Sequence, residues 1–406
     1  MLLLLKNKEN MMQIKINIKP SQKLLNLPTY VFAELDEWKE EAKAKGMDLI
    51  DLGIGNPDGC TPEAVVKAAV ESLKNPKNHG YPSFKGKDEL REGIAQWLYN
   101  KHGITMDPKD EIQTLIGAKE GLAHLAMAYT NPGDINIVPD PYYPVLSRGT
   151  WLSNGEVYHV KLEEKNNFLP DLKSIPEEVA QKAKIFFVNY PNNPTAGVAT
   201  KEFFKEMVDY CKKYNILLCS DLAYSQIVFD GYKPPSVFEV EGAKDIAIEF
   251  YSFSKSYNMA GWRIGFAVGN KEFIKTLYAM KTNLDYGTSS IIQDAAIAAL
   301  NLPEDQCCHI SGNYQRRRDF MVEGFNKLGW NMKKTQATMY LWLQVPQGYD
   351  SKTWCKTILD KTGVVFTPGI AFGKHSDGYF RASLVAPDNR LMEALDRLEK
   401  AGIKYS

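Results

Sequence analysis

Three polar residues and one lysine lie at or just after the ends of apolar runs, where the folded chain would bring their side chains close together. Asn193, Asp221 and Ser252 each follow or end an apolar run, and Lys255 comes three residues after Ser252. The carboxyl ends of parallel strands line the ligand crevice of an open α/β sheet, so we expect these four side chains to lie close together. A lysine amine in such a crevice can form an imine with an aldehyde and can carry a proton. Taken singly, each polar residue is more often a turn or a helix cap, so only the combination indicates a site.

Apolar runs that alternate with amphipathic stretches supply the elements that position these side chains. Strands are predicted over five runs: Asp134–Pro139, Lys184–Tyr190, Ile216–Asp221, Ile246–Ser252 and Ile264–Val268. Three of the runs are almost uninterruptedly apolar, which is typical of strands buried on both faces of a parallel sheet. Helices are predicted between the strands, over Lys119–Tyr129, Thr200–Lys213 and Lys271–Lys281. This alternation indicates an α/β domain with crossover connections.

The pattern changes after about residue 290 and indicates a smaller α+β domain. Helices are predicted over Ile291–Leu300, Asp305–Leu328 and Asp388–Ala401, and strands over Met339–Val345 and Tyr379–Leu384. The predicted division of the chain has four parts: a tail of no assigned role over 1–20, an N-terminal arm with part of the small domain over 21–55, a large domain over 56–290 and a small domain over 291–406.

The composition excludes several classes of protein. With 406 residues, of which 44% are hydrophobic and 24% charged, the chain is neither disordered nor collagen-like, and two domains are expected. Lys plus Arg and Asp plus Glu both number 49, so the balance of charge argues against a broad nucleic-acid surface. The six cysteines form no C-x-x-C pair, which favours a reduced, cytoplasmic protein. No window approaches the ~18 apolar residues of a membrane span.

The segment around Lys255 carries the most specific pattern in the chain. Residues 252–265, SFSKSYNMAGWRIG, resemble the lysine signature of the class I aminotransferases that depend on pyridoxal 5′-phosphate, with Arg263 eight residues after Lys255. A surface lysine on a polar loop would have to coincide with this fourteen-residue pattern. The resemblance implies a fold type I α/β protein, with a large domain built on a mostly parallel seven-stranded sheet between helices and a smaller α+β domain. It also implies that Lys255 binds the cofactor aldehyde and then moves the substrate α-proton.

The same resemblance implies which other residues bind the cofactor. Asp221-Leu-Ala-Tyr224 is similar to the family's Asp-x-x-Tyr, in which the aspartate pairs with the ring nitrogen and the tyrosine, with Asn193, bonds the 3′-oxygen of the ring. Gly117-Ala-Lys-Glu120 is similar to the family's turn at the start of a helix, a common anion site, and Tyr143 to the aromatic residue that stacks on the ring. The phosphate is expected to contact Ala118, Lys119, Ser252, Ser254 and Arg263. Tyr81 is expected to reach the phosphate of a neighbouring subunit, which implies a homodimer with shared sites.

The resemblance also implies a carboxylate clamp for the substrate. Arg381, in Gly-Tyr-Phe-Arg-Ala-Ser, is expected to grip the α-carboxylate with two parallel hydrogen bonds. Gly55 and Asn193 are expected to support the clamp and Tyr30 to close over the substrate. The expected reaction is a ping-pong exchange of an amino group between an L-amino acid and a 2-oxo acid.

Several stretches resemble the bacterial glutamate–pyruvate (alanine) transaminases, so alanine and glutamate with pyruvate and 2-oxoglutarate are the predicted substrates. The LL-diaminopimelate aminotransferases share Tyr30-Val-Phe-Ala-Glu34 but typically carry an asparagine near the position of Tyr286, which weighs against them. An aspartate specialist is disfavoured because Thr282–Ser290 contains no arginine. Broad aspartate or aromatic specificity remains an alternative.

Other functions stay open beside transamination. A β-lyase of the same fold shares the lysine signature, whereas a decarboxylase would have to lose the carboxylate that Arg381 is expected to hold. A transcriptional regulator of this fold needs a DNA-binding module, and only about 50 residues precede Gly53. The six histidines show no metal-ligand spacing, so no metal is predicted.

Overall fold

The computed structural model describes residues 18–28 and 31–405. Tyr30 and residues 1–17 of the predicted tail lie outside the described residues. The helices are α1 Gln22–Leu25, α2 Val31–Ala44, α3 Glu63–Leu73, α4 Asp88–His102, α5 Ala118–Tyr129, α6 Val145–Leu152, α7 Glu177–Lys182, α8 Lys201–Tyr214, α9 Phe253–Ser256, α10 Lys271–Leu284, α11 Ser290–Leu300, α12 Glu304–Lys327, α13 Ser351–Thr362 and α14 Asp388–Lys400. The strands are β1 Ile50–Asp51, β2 Ile112–Leu115, β3 Ile135–Asp140, β4 Glu156–Lys161, β5 Ala183–Asn189, β6 Leu217–Asp221, β7 Ala247–Ser252, β8 Gly265–Gly269, β9 Tyr340–Gln344, β10 Val364–Val365, β11 Thr367–Pro368 and β12 Tyr379–Ser383.

The large sheet has seven strands in the order β2-β8-β7-β6-β5-β3-β4, and β8 runs in the opposite direction to the other six. Side chains alternate between its faces: Phe186 and Val188 pack with α8, whereas Ile185 and Phe187 pack with α5, α6 and α10. Helices therefore cover both faces, which explains why the central strands are apolar throughout. This arrangement confirms the predicted fold class.

Register brings the predicted polar residues to one edge of this sheet. Asn189 at the end of β5 is paired with Asp221 at the end of β6. Ser252 ends β7 and is paired with Gly265 of β8. Because β5, β6 and β7 are parallel neighbours, their last residues open onto the same crevice.

Two smaller sheets lie outside the large one. β9, β11 and β12 form an antiparallel sheet in the order β11-β12-β9, and β1 pairs in parallel with β10. Their apolar side chains share one core with α12, α13 and α14. Arg381 lies on the central strand β12, opposite Trp342 of β9. The N-terminal strand β1 thus joins the C-terminal half of the chain, and the smaller domain combines helices with an antiparallel sheet.

A buried carboxylate joins the large sheet to the segment that precedes β12. Asp140, the last residue of β3, is 0% exposed. Its carboxylate lies 3.1 Å from Nδ1 of His375 and accepts a hydrogen bond from the Ser376 hydroxyl at 3.2 Å. Nearby, the Tyr142 N–H donates to the Phe372 carbonyl at 2.8 Å. Because a buried charge is costly without partners, these bonds hold the segment against the large sheet.

The strands and helices predicted from the sequence are present, with ends that differ by at most three residues. The predicted strand Asp134–Pro139 is Ile135–Asp140, for example, and the predicted helix Lys271–Lys281 extends to Leu284. The structure adds β2, β4, the two-residue strands and eight helices that were not predicted: α1, α2, α3, α4, α6, α7, α9 and α13. Within residues 18–28 and 31–405, no helix combines the length and the apolarity needed to cross a membrane.

Candidate active site

A cavity of about 310 Å³ opens at the carboxyl ends of β5, β6 and β7. The large sheet contributes one wall, and the N-terminal segment, β9 and β12 contribute the other. The lining residues are Phe32, Ile54, Gly55, Ala118, Lys119, Leu122, Tyr143, Asn189, Asn193, Asp221, Ala223, Tyr224, Ser252, Ser254, Lys255, Ala260, Arg263, Tyr340 and Arg381.

Lys255 enters the cavity from the short helix α9. Ser252 caps this helix, because its hydroxyl oxygen accepts the Ser254 N–H at 3.2 Å. The Lys255 ammonium donates to the carbonyl of Gly55. Burial, followed by the positive charges of Arg381 and Arg263, lowers the pKa of Lys255 to about 8. A lysine with such a pKa is partly neutral near pH 7, as a nucleophile or a base must be.

Asp221 is the carboxylate among the charged residues that line the cavity. It is 4% exposed, and one of its oxygens accepts the Ala223 N–H at 3.1 Å. Burial is the main reason why the pKa of Asp221 is raised to about 7, and the charge of Glu249 adds to the effect. A cationic partner would stabilise the ionised form of this carboxylate and so lower its pKa.

Asn193, Tyr224 and Arg381 form one hydrogen-bonded chain across the cavity. Arg381 Nη1 donates to Asn193 Oδ1 at 2.8 Å, and Asn193 Nδ2 donates to the Tyr224 hydroxyl at 3.3 Å. Arg381 Nη2 also donates to the Gly53 carbonyl at 2.6 Å, whereas the buried Nε is without an acceptor in the described part of the chain. A buried guanidinium donor without a partner is the expected state of a site that receives a carboxylate.

The start of α5 and Arg263 form a cradle at the other end of the cavity. Gly117 precedes α5 with φ +85°, a conformation that favours glycine. A side chain at position 117 would place its Cβ 2.5 Å from Arg263 Nη2, so glycine also makes room for the guanidinium. Backbone N–H groups at a helix start attract anions. Burial lowers the pKa of Lys119, and the positive charges of Arg148 and Arg263 lower it further.

The residues present fit pyridoxal 5′-phosphate. Four cationic side chains and one carboxylate line the cavity, a balance that suits a phosphate together with a substrate carboxylate. The cradle suits the phosphate, Asp221 suits a protonated ring nitrogen, and Lys255 lines the same cavity.

The structure brings together every predicted site residue that it describes, except Tyr81. Tyr81 is 85% exposed and stacks on Tyr286 with 4.6 Å between ring centroids, away from the cavity of its own chain. Tyr143 lines the cavity, whereas Tyr142 is buried and stacks on His159 with 5.0 Å between ring centroids. Tyr30 lies outside the described residues. The roles assigned to these residues remain predictions.

The sequence did not predict several lining residues. Two of them, Tyr340 and Asn189, contact predicted site residues. Asn189 ends β5 just as Asp221 ends β6, so the same rule could have found it. Its side-chain oxygen accepts the Asn193 N–H at 2.9 Å and orients the turn. Tyr340 gave no such signal, because it is one aromatic residue in an apolar strand. The other missed lining residues are Phe32, Ile54, Leu122, Ala223 and Ala260.

A group of titratable side chains lies beside the cradle. Within the described residues, Glu120, His124 and Asp285 place ligand atoms within 4.8 Å of one another. The fully buried Lys281 donates to Glu120 at 2.9 Å and to Asp285 at 2.7 Å. An ammonium thus supplies the positive charge between these carboxylates, and the group ties α10 to the start of α5.

Comparisons with known proteins agree with this geometry. The family model described as aminotransferase class I and II matches residues 47–398. The chain is 50% identical over 379 residues to the LL-diaminopimelate aminotransferase of Aquifex aeolicus (93% of this chain, 98% of the relative). It is 47% identical over 385 residues to that of Halothermothrix orenii (95% and 99%). Among solved structures, substrate-bound BacF from Bacillus subtilis superposes with a TM-score of 0.92 at 36% identity, over 96% of this chain and 99% of that one.

Proposed function

The chain belongs to the class I and II aminotransferases, and we propose that it transfers an amino group between LL-diaminopimelate and a 2-oxo acid. It is a transaminase that depends on pyridoxal 5′-phosphate. The observation that carries the substrate is the similarity to LL-diaminopimelate aminotransferases over nearly their whole lengths.

The alanine prediction is not supported by these relatives and is replaced. That prediction depended on stretches similar to the alanine transaminases, and Tyr286 weighed against the diaminopimelate enzymes because an asparagine is typical there. Tyr286 is 47% exposed and stacks on Tyr81 and Phe84, outside the lining of its own chain's cavity.

The bound cofactor supplies the aldehyde carbon that takes the amino group and the conjugated ring that accepts electrons from the α-carbon. Within the proposal, Asp221 keeps the proton on the ring nitrogen, while Tyr224 and Asn193 donate to the ring oxygen. Ala118, Lys119, Ser252, Ser254 and Arg263 hold the phosphate. Tyr143 covers one face of the ring.

Lys255 and Arg381 act on the substrate. The Lys255 amine would take the proton from the substrate α-carbon and hold it for return, while the bound cofactor would supply the electron-accepting ring. Arg381 fixes the α-carboxylate with its remaining donors, which sets the α-carbon in reach of Lys255. Gly55 accepts from Lys255 and lies beside the same carboxylate.

Replacing Arg381 by lysine is expected to lower kcat/KM for amino acid and 2-oxo acid by about 100-fold, mainly through KM. A lysine keeps the charge but loses the fork of donors that binds a carboxylate in two places. Steady-state kinetics with both substrates measure the effect. The control is Arg316→Lys, because Arg316 lies on the surface and pairs with Asp388. An unchanged KM for Arg381→Lys would assign the carboxylate to another residue.

The proposed substrate is tested with purified, cofactor-loaded protein and 2-oxoglutarate as acceptor. We expect kcat/KM for LL-diaminopimelate to exceed that for L-alanine by at least about 100-fold, since charged distal groups that find partners in the site discriminate strongly. Glutamate formation is the readout. Equal rates with alanine would contradict the substrate and leave the transaminase intact.

We also propose that two copies of the chain form the active unit. Val66, Val70 and Leu73 are 40%, 50% and 56% exposed on one side of α3, although Val65 and Ala69 on its other side are buried. Tyr81 and Tyr286 add an exposed aromatic pair. Such apolar surface suits an interface. Light scattering of the purified protein tests the assembly, and a monomer at working concentration would refute it.

A further inference from the structure

Tyr340, the first residue of β9, lies between two residues to which the proposed function gives different tasks. It is 2% exposed. Its hydroxyl is 3.0 Å from the hydroxyl of Tyr224, which faces the cofactor ring. Its ring centroid is 4.2 Å from the guanidinium carbon of Arg381, which faces the substrate. One side chain of the small sheet therefore contacts both halves of the site.

The direction of the bond between the two hydroxyls follows from counting hydrogens. Burial raises the pKa of Tyr224 far above its usual value, so Tyr224 keeps its single hydrogen. Its oxygen already accepts from Asn193 Nδ2. If the Tyr224 hydrogen is donated to the cofactor, then Tyr340 must supply the hydrogen of the bond between the hydroxyls. A hydroxyl that accepts two hydrogen bonds is a stronger donor.

The ring of Tyr340 acts on Arg381. The guanidinium carbon lies over Tyr340 at 4.2 Å and over Phe372 at 4.7 Å, so aromatic rings border the cation on two sides. Its two terminal nitrogens are bonded to Asn193 and Gly53. These contacts fix the plane in which the free Nε lies.

Gly55 provides the space that the Tyr340 hydroxyl needs. A Cβ at position 55 would lie 2.0 Å from the Tyr340 oxygen. The carbonyl of the same glycine accepts from Lys255. The hydroxyl position is thus defined by the N-terminal segment as well as by β9.

We propose that Tyr340 is a positioning residue with two separable parts: its hydroxyl donates to Tyr224 and strengthens the bond from Tyr224 to the cofactor's ring oxygen, and its ring orients Arg381 for the substrate carboxylate. This proposal rests on the proposed function, which assigns the tasks of Tyr224 and Arg381.

Two variants of the full-length, cofactor-loaded protein separate the parts. Tyr340→Phe keeps the ring and removes the hydroxyl, and Tyr340→Leu removes both. The readouts are the pH midpoint of the visible absorption band of the bound cofactor, and KM and kcat for the amino acid. For Tyr340→Phe we expect the midpoint to rise by about 0.5 pH unit, because a weaker donor leaves more proton affinity on the conjugated ring system. Its KM should stay within about twofold, whereas Tyr340→Leu should raise KM about tenfold.

Tyr232→Phe is the matched control, because it removes a hydroxyl that donates to the Ala199 carbonyl outside the cavity lining. It should move neither readout. An unchanged midpoint in Tyr340→Phe, or an equal rise in KM for both Tyr340 variants, would overturn the proposal. Absence of any cofactor band in the wild-type protein would instead refute the proposed function, so the two failures are distinguishable.

Discussion

Replacing Lys255 by alanine is expected to lower kcat for transamination by at least about 10⁴-fold while the fold is retained. The variant removes the amine that binds the aldehyde and also the base that moves the α-proton. Lys255 lies on the cavity wall and bonds only the Gly55 carbonyl among the described residues, so its loss leaves few groups unpaired. Single-turnover kinetics with LL-diaminopimelate measure the chemistry, and circular dichroism measures the fold.

Lys255→Arg is the matched variant, because it keeps a positive charge and lacks a titratable amine near pH 7. It should be as inactive as Lys255→Ala. The control is Lys205→Ala, which removes an exposed lysine of α8 that pairs with Asp209. Activity of Lys255→Arg within about tenfold of the wild type would show that charge suffices and would contradict the proposed base.

Asp221→Asn has the second largest expected effect and acts on activity and stability in opposite directions. We expect kcat to fall by about 10²–10³-fold, because an amide cannot stabilise the proton on the ring nitrogen as a carboxylate does. Kinetics of the cofactor-loaded variant give this value. An undiminished kcat would assign the ring nitrogen to another group.

Stability of the cofactor-free protein should change in the other direction. The folded pKa of Asp221 is raised to about 7, whereas an unfolded aspartate titrates near ~3.9. The protonated carboxyl therefore contributes stability that is fully present below pH ~4 and is lost as the pH rises to ~7. The asparagine of Asp221→Asn does not titrate, so the variant does not lose this stability as the pH rises. Its free energy of unfolding, relative to that of the wild type, should increase by up to about 4 kcal/mol between pH 4 and pH 8.

Denaturant unfolding at the two pH values measures this difference. Loading with cofactor supplies a cationic partner and should remove the advantage of the variant. A constant difference across the pH range would mean that Asp221 is already ionised in the cofactor-free protein.

The sequence predicts the central strands well because they are buried on both faces. An apolar run such as KIFFVN can be assigned as a strand without knowledge of its tertiary contacts. The end of the strand at Asn189 is likewise marked by the neighbouring sequence. β2 and β4 were not predicted from the sequence, for two different reasons. β4 is an edge strand with mostly half-exposed residues. In β2, the buried Gln113 and Thr114 bond the carbonyls of Phe84 and Lys85, 29 residues earlier, which a local pattern cannot reveal.

The site residues also divide into those that the local sequence predicts and those that depend on contacts distant in the sequence. Lys255 and Arg263 belong to one continuous segment, so the resemblance of that segment to the family's lysine signature is enough to predict both. Tyr340 meets Tyr224 from 116 residues away, and nothing in β9 records that contact. Substrate choice was the least predictable feature, because the stretches similar to the alanine transaminases lie in a site whose layout the diaminopimelate enzymes share.

The Gly53 carbonyl accepts hydrogen bonds from Thr367 and Arg381, which lie 314 and 328 residues later in the chain. At a synthesis rate of roughly 5–20 residues per second, roughly 15–60 s pass between Gly53 and these partners leaving the ribosome. All seven strands of the large sheet are made by Gly269, so the cofactor-binding half can assemble while the carboxylate clamp does not yet exist. Nascent chains therefore lack the carboxylate clamp until Arg381 has been synthesised.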